Sequence, residues 1–265
     1  MTFPRRTLSA PATLDGLGLH GGAPVTVTIH PGEEGLWFRS GAIRVEARPE
    51  NVGDTTRCTN LGGISTIEHL MSAFAGLGVT DAEVELTAPE LPALDGSAAP
   101  FVAAIEASGT ADFGTFEIEP PFSRVFLQEG DIKIAIGKGE GFWRYAYSLG
   151  ARWPGDMEFE MTPGSYAAEV ASARTFALAE ELPAIIQAGL ARGLDRDSAL
   201  VLGNQGYKNE PRFEDEPARH KLLDLVGDLY LSGVPIAALD VVAERSGHRT
   251  HVQAAGMLAR AARRG

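Results

Sequence analysis

Residues 219–244, RHKLLDLVGDLYLSGVPIAALDVVAE, decide the fold, because they read as an amphipathic helix, a glycine stop and a strand. Leu222, Leu223, Val226, Leu229 and Tyr230 recur at helical spacing, and Gly233-Val234 closes the run. The same plan occurs earlier. In residues 65–78, STIEHLMSAFAGLG, the stripe is Ile67, Leu70, Met71, Phe74 and Leu77, the helix stops near Gly76 or Gly78, and a strand follows over Ala82–Leu86. His69-Leu70 opens one unit and His220-Lys221-Leu222 the other, with Gly78-Val79 and Gly233-Val234 at corresponding ends. We read this as an internal pseudo-repeat.

Outward from these units, the first sixty residues alternate apolar and polar positions in short runs such as 25–30 and 36–39, which predicts strands. A Pro-rich loop, APELPALDGSAAPF, leads to a short helix near 102–107. Strands are expected from 115 to about 160, then mixed helix over 172–193. Residues 109–113 read as a linker, dividing the chain into domains 1–112 and 113–265. Each half would expose an apolar sheet face. Stacking the halves through their helices buries both, so the expected fold is α+β: two similar domains with the helices sandwiched between two sheets, sheet-helix-helix-sheet.

At 265 residues and 44% hydrophobic content the chain can build two ordinary cores. Its formal charge of -12 argues against nucleic acid or an anionic membrane surface as the main partner. An anionic small substrate would need local Lys or Arg. No apolar run reaches the roughly 20 residues that span a bilayer. The start, MTFPRRTLSA, lacks the apolar core of a signal peptide, so a cytoplasmic address and no stable membrane insertion are expected. Cys58 stands alone and reads as a small, partly buried residue of a reducing compartment.

His220, Asp224 and Asp228 lie at i, i+4 and i+8, on a face that also carries Leu223 and Leu231, so their burial is plausible and they need partners. A His-x3-Asp pair can offer two metal ligands, and a third from elsewhere leaves a coordination position open. Each residue also has an ordinary reading. His69 could be a satisfied histidine at a helix start, and Ser65-x-x-Glu68 could be a capping box. His220 with Asp224 could be an ion pair worth a few tenths of a kcal/mol. Asp228 could be solvated. Spacing alone leaves both sets of readings open.

IEHLMSAFAGLG, APELPALDGSAAPF, ARTF, RFEDEPARHKLLDLVGD and SGH, beginning with RRTL and GLGLHGG, occur in the order and approximate spacing of the lipid A pathway deacetylase family, which the chain resembles over nearly its whole length. The resemblance implies a zinc enzyme, with iron(II) also possible, that removes the N-acetyl group from UDP-3-O-acyl-N-acetylglucosamine. It implies His69, His220 and Asp224 as metal ligands and Glu68 as general base. His248 is implied as the cationic partner, Asp228 as the carboxylate that orients and charges it, and Thr175 as an oxyanion hydroxyl. Lys221 and Phe176 match substrate-contacting positions. The partner implied is a UDP-linked acylated amino sugar, and a monomer is expected.

The rival readings are a zinc amidase of the same fold acting on another N-acyl sugar, a catalytically silent relative, and a non-catalytic binding module like those of ribosomal proteins. The last would want a basic surface. No GxxxxGK[ST] or strand-linked GxGxxG supports a nucleotide-binding loop. Three stretches depart from the family pattern. Gly193-Leu194-Asp195 and Arg196-Asp197-Ser198 replace Gly-Gly-Ser and Leu-Asp-Asn runs near the acyl passage, Arg249-Thr250-His251 replaces Ala-Leu-Asn, and the second sheet looks shortened around Tyr145 to Glu158. The 193–198 change predicts an altered acyl-chain preference. A chain-length profile of kcat/KM checks this, and the family's ordinary profile would refute it.

Overall fold

The computed structural model describes residues 1–119 and 124–262. The first half runs β1 (Thr2–Leu8), β2 (Ala12–Leu17), β3 (Pro24–Pro31), β4 (Leu36–Ser40), β5 (Ile43–Glu46), α1 (Glu68–Leu77), β6 (Ala82–Leu86), α2 (Ala99–Ser108) and β7 (Thr110–Glu117). Strands form where apolar residues alternate. In β3, Val25, Val27 and Ile29 are buried while Thr26, Thr28 and His30 are half-buried. Helix α1 forms over the predicted stripe and ends at Gly78, whose φ of 68° gives the left-handed turn a glycine takes without steric cost.

The second half runs β8 (Val125–Glu129), β9 (Ile132–Lys138), β10 (Trp143–Ser148), β11 (Asp156–Met161), α3 (Tyr166–Glu169), β12 (Phe176–Leu178), α4 (Leu182–Gln187), β13 (Leu200–Leu202), α5 (Glu216–Tyr230), β14 (Leu239–Glu244) and α6 (His248–Ala262). The sheet orders are β2-β3-β6-β4-β5 and β11-β10-β14-β9-β8. Aligned element by element these are one topology. In each half the strand after the main helix enters the middle of the sheet, parallel to one neighbour (β6 with β4, β14 with β10) and antiparallel to the other. The pseudo-repeat read from the sequence is therefore a repeat of fold. Helices α1 and α5 pack on each other, α2 covers β2, and α6 covers β8, giving the expected layers around one continuous core.

Four local expectations change. Residues 109–113, expected as a linker, mostly belong to β7, which pairs antiparallel with β1; the connection between the halves is thus hydrogen-bonded to the chain's own beginning. The second sheet keeps five strands despite the expected shortening, because β10 and β11 pair along their whole length from Trp143–Met161 to Ser148–Asp156. Little of 172–193 is helix: a short parallel pair, β12 with β13, brackets α4. Helix α5 starts at Glu216, so His220 lies a turn inside it and not at its start. The segment from α3 to β13 has no counterpart between β5 and α1 in the first half. It is the main asymmetry of the repeat.

The two central helices cross at Gly227. A Cβ built there would lie 2.1 Å from the carbonyl oxygen of Glu68 and 3.0 Å from the amide nitrogen of Ser72, both backbone. Only glycine allows α5 to approach α1 this closely. Gly227→Ala should therefore push the helices apart and destabilise the fold by about 1–3 kcal/mol, the usual range for overpacking. Urea denaturation reads the loss, and an unchanged midpoint would mean that the helices give way freely.

Candidate metal centre and active site

The crossing brings one end of α1 against the middle of α5. Glu68 and His69 are the first two residues of α1, and His220, Asp224 and Asp228 follow one another along α5; all five are buried. The Nε2 atoms of His69 and His220 lie 3.8 and 3.5 Å from Asp224 Oδ1. Ligands about 2.0–2.1 Å from a tetrahedral cation sit roughly 3.4 Å apart, so these three atoms surround a space the size of one small ion. Their states also fit. Burial, with His220 beside it, drops His69 to about 3, and burial lowers His220, so both imidazoles are neutral. His220 Nδ1 donates to the Ala173 carbonyl at 3.0 Å, which leaves the Nε2 lone pair facing Asp224. Burial alone would raise Asp224, but Lys221, His220 and His248 hold it well below the carboxylate range.

Glu68 is not a capping glutamate. The residue before α1 is Ile67, no side chain caps the helix, and Ser65 Oγ accepts instead from Asn60. The Glu68 carboxylate takes the Thr59 amide at 3.0 Å. Burial, reinforced by Asp228 and Asp224, raises it to about 7. His248 opens α6, and its Nδ1 is 2.9 Å from Asp228 Oδ2 while its Nε2 is 3.9 Å from Asp224 Oδ2. Burial disfavours its charge, but Asp228, Asp224 and the Asp228 hydrogen bond outweigh that and push it up to about 9. It is the cation of the site.

These groups open into a cavity of about 470 Å³ lined by Glu68, His69, Thr175, Phe176, His220, Lys221, Asp224 and His248. Its outer wall is the second-half insertion: Leu182, Ile185, Leu190, Leu194 and Val201. Thr175 and Phe176 reach it because Arg174 is anchored beneath them. Glu216 accepts from the Arg174 amide and Nε, both at 2.9 Å, and from Nη2 at 3.1 Å, with both side chains buried. The Phe176 ring stands edge-on to His220 at 6.0 Å. Lys221, expected as a substrate cation, donates to Asp224 Oδ2 at 2.9 Å and sits 5.5 Å over the Phe176 ring. Every expected site residue except Asp228 thus lines the cavity, and Asp228 stands behind His248.

Three further residues of the site are not among those expected. Thr59 bridges the halves, giving its amide to Glu68 and its hydroxyl to Asp228 Oδ1 at 2.6 Å. His251 donates towards Asp228 from the far side. His20, inside GLGLHGG, lines the cavity with no hydrogen-bond partner for either ring nitrogen among the described residues. Cys58, expected to be partly buried, is buried, and its thiol is pushed up to about 12 by burial and by Glu68, which makes it inert.

Residues 5–260 match the family model described as UDP-3-O-acyl N-acetylglycosamine deacetylase. The chain is 37% identical over 276 residues to the UDP-3-O-acyl-N-acetylglucosamine deacetylase of Cellvibrio japonicus, covering 96% of this chain and 89% of that one. It is 36% identical to the protein of the same name from Geobacter sp., covering 92% and 85%, and 36% identical to that from Thermosynechococcus vestitus, covering 96% and 94%.

The Arg174–Glu216 pair should be costly to break from one side. Glu216→Ala leaves a buried guanidinium and should destabilise by about 3–5 kcal/mol, measured by urea unfolding. A loss below about 1 kcal/mol would show that water reaches the site.

Proposed function

The chain belongs to the UDP-3-O-acyl N-acetylglycosamine deacetylase family, and from that premise we propose that it hydrolyses the acetamide of UDP-3-O-acyl-N-acetylglucosamine, using one Zn²⁺ held by His69, His220 and Asp224. The products are acetate and UDP-3-O-acyl-glucosamine, a step of lipid A synthesis. The observation that carries this reading is the convergence of two neutral imidazoles and one carboxylate oxygen on a single small space, at a cavity whose other wall is apolar. The two imidazoles with a carboxylate would also accept iron(II).

When bound, the ion supplies Lewis acidity, polarising a carbonyl and acidifying water. The remaining work falls to this chain's side chains. Glu68, raised to about 7, is poised near neutral pH to accept the proton of the attacking water. As the new C–O bond forms, negative charge gathers on the former carbonyl oxygen. The protonated His248 and the Thr175 hydroxyl face that cavity, and such donors are commonly worth about 2–4 kcal/mol each. The C–N bond then breaks and the amine must leave protonated; Glu68, after the attack, and His248 both hold a proton there. Asp228 keeps His248 charged and aimed. Lys221 supplies positive charge beside the cavity, which an acidic protein needs for an anionic nucleotide sugar.

The acyl chain would lie along Leu182, Ile185, Leu190 and Leu194. Among the described residues no helix is long and apolar enough to cross a membrane. All the groups invoked come from one chain, which supports action as a monomer, and we place that action in the cytoplasm.

Metal analysis with deacetylation of UDP-3-O-acyl-N-acetylglucosamine tests the reading. Wild type should carry about one zinc and turn over. His220→Ala should lose metal, and Glu68→Ala should keep the metal yet lose at least about 100-fold in kcat. Zinc without turnover of this sugar would favour a different N-acyl substrate, and no metal would overturn the enzyme reading. In addition, Leu194→Trp should lower kcat/KM for long acyl chains more than for short ones, and an equal loss for both would move the acyl chain elsewhere.

A further inference from the structure

Asp228 is shared by two imidazoles. His248 and His251 lie three residues apart on the first turn of α6 and so face the same way. Both offer Nδ1 to one oxygen, Asp228 Oδ2, at 2.9 and 3.0 Å. The other oxygen, Oδ1, takes the Thr59 hydroxyl at 2.6 Å. His251 is fully buried, and its remaining nitrogen, Nε2, is 2.9 Å from Ser246 Oγ. The Tyr145 hydroxyl donates to the Ser246 carbonyl at 2.5 Å, and the Tyr145 ring stands edge-on to His251 at 6.5 Å. A chain of contacts therefore runs from strand β10 through Ser246 and His251 to the carboxylate behind His248.

Resting on the proposed hydrolytic reading, we propose that His251 is a positioning residue for the His248–Asp228 pair, acting through the carboxylate and touching neither substrate nor metal. A serine hydroxyl can give its proton to Nε2, which places the imidazole proton on Nδ1, where Asp228 needs it. With Thr59 alone, only Oδ1 is held, and the carboxylate can rotate so that Oδ2 leaves the plane of His248. The second donor on Oδ2 stops that rotation. The constraint reaches His248 Nε2, which faces the cavity, because the ring direction is set by the bond at Nδ1.

A purely structural histidine, one that only satisfies a buried carboxylate, would affect stability whether or not Asp228 is present. Coupling separates the two roles. We would measure kcat and KM for His251→Leu, His251→Asn, Asp228→Ala and the double variant His251→Leu/Asp228→Ala, together with zinc content. His251→Leu should lower kcat about tenfold with KM and zinc unchanged, and should add little in the Asp228→Ala background. His251→Asn, whose amide can still donate near the Nδ1 position, should recover most of the loss. Should His251→Leu not fold, Ser246→Ala, which frees the other tautomer, should give a smaller kcat loss that also vanishes without Asp228.

Unchanged kcat in His251→Leu, a loss carried by KM, or the same loss with and without Asp228 would each overturn the assignment. A second readout needs no turnover. In ¹⁵N-labelled, metal-free protein the His248 Nδ1–H resonance should move in His251→Leu, and an unmoved resonance overturns the proposal. An inactive wild type would count against the proposed reaction, while this resonance would still decide the role of His251.

Discussion

The approach of α5 to α1 at Gly227 is the constraint on which the rest depends. Because a glycine lets the α5 backbone meet the Glu68 carbonyl, the first residues of one helix lie beside the middle of the other. That contact turns two similar halves into one site. His69 and Glu68 come from the first half; His220, Asp224, Asp228 and His248 come from the second. A few ångströms of separation would take His69 Nε2 away from Asp224 and the Thr59 hydroxyl away from Asp228, and the space shared by the three ligand atoms would be lost.

The electrostatics follow from this burial. Two carboxylates, Asp224 and Asp228, are kept ionised in the core by Lys221 and His248, while Glu68 is pushed the other way, because burial and its two neighbouring carboxylates outweigh the opposing pull of His248. Neighbouring acids thus acquire different states, as an acid–base site requires. His69 and His220 stay neutral and His248 stays charged, although the first two are buried and the third is mostly so. What separates them is the bond from His248 to Asp228 and the orientation of Asp224, whose Oδ1 faces the two neutral rings and whose Oδ2 faces Lys221 and His248.

The asymmetry between the halves is where substrate recognition can enter. The first half contributes Leu19, His20, Arg57 and Thr66 to the cavity lining, and the segment from α3 to β13, present only in the second half, supplies its apolar outer wall. It is held to the core through Arg174 and Glu216 and to the first half through close backbone contacts. A Cβ on Gly96 would collide with the Ser198 carbonyl, and one on Gly193 would meet that of Gly18. Asp195 folds the 193–198 loop by accepting from the Asp197 and Ser198 amides and from Ser198 Oγ. The loop is firmly built.

Much of this was legible in the sequence. Apolar periodicity located α1, α5 and β6, and the matching helix-glycine-strand units announced the repeat, because periodicity is a local property that burial imposes on each element. The His-x3-Asp spacing likewise put two candidate ligands on one helix face. Residues 109–113 were misread as a linker, since their pairing with β1 joins positions more than a hundred apart and leaves no local trace. The capping-box reading of Glu68 failed for the same reason: its partner, the Thr59 amide, is set by the path of the preceding loop. Thr59 and His251 have no motif because each matters only through Asp228, on another element. The sequence by itself determined which residues could carry the chemistry and which faces had to be buried. Only the tertiary structure decided which of them meet, because that depends on backbone approach across the helix crossing, which no local pattern encodes.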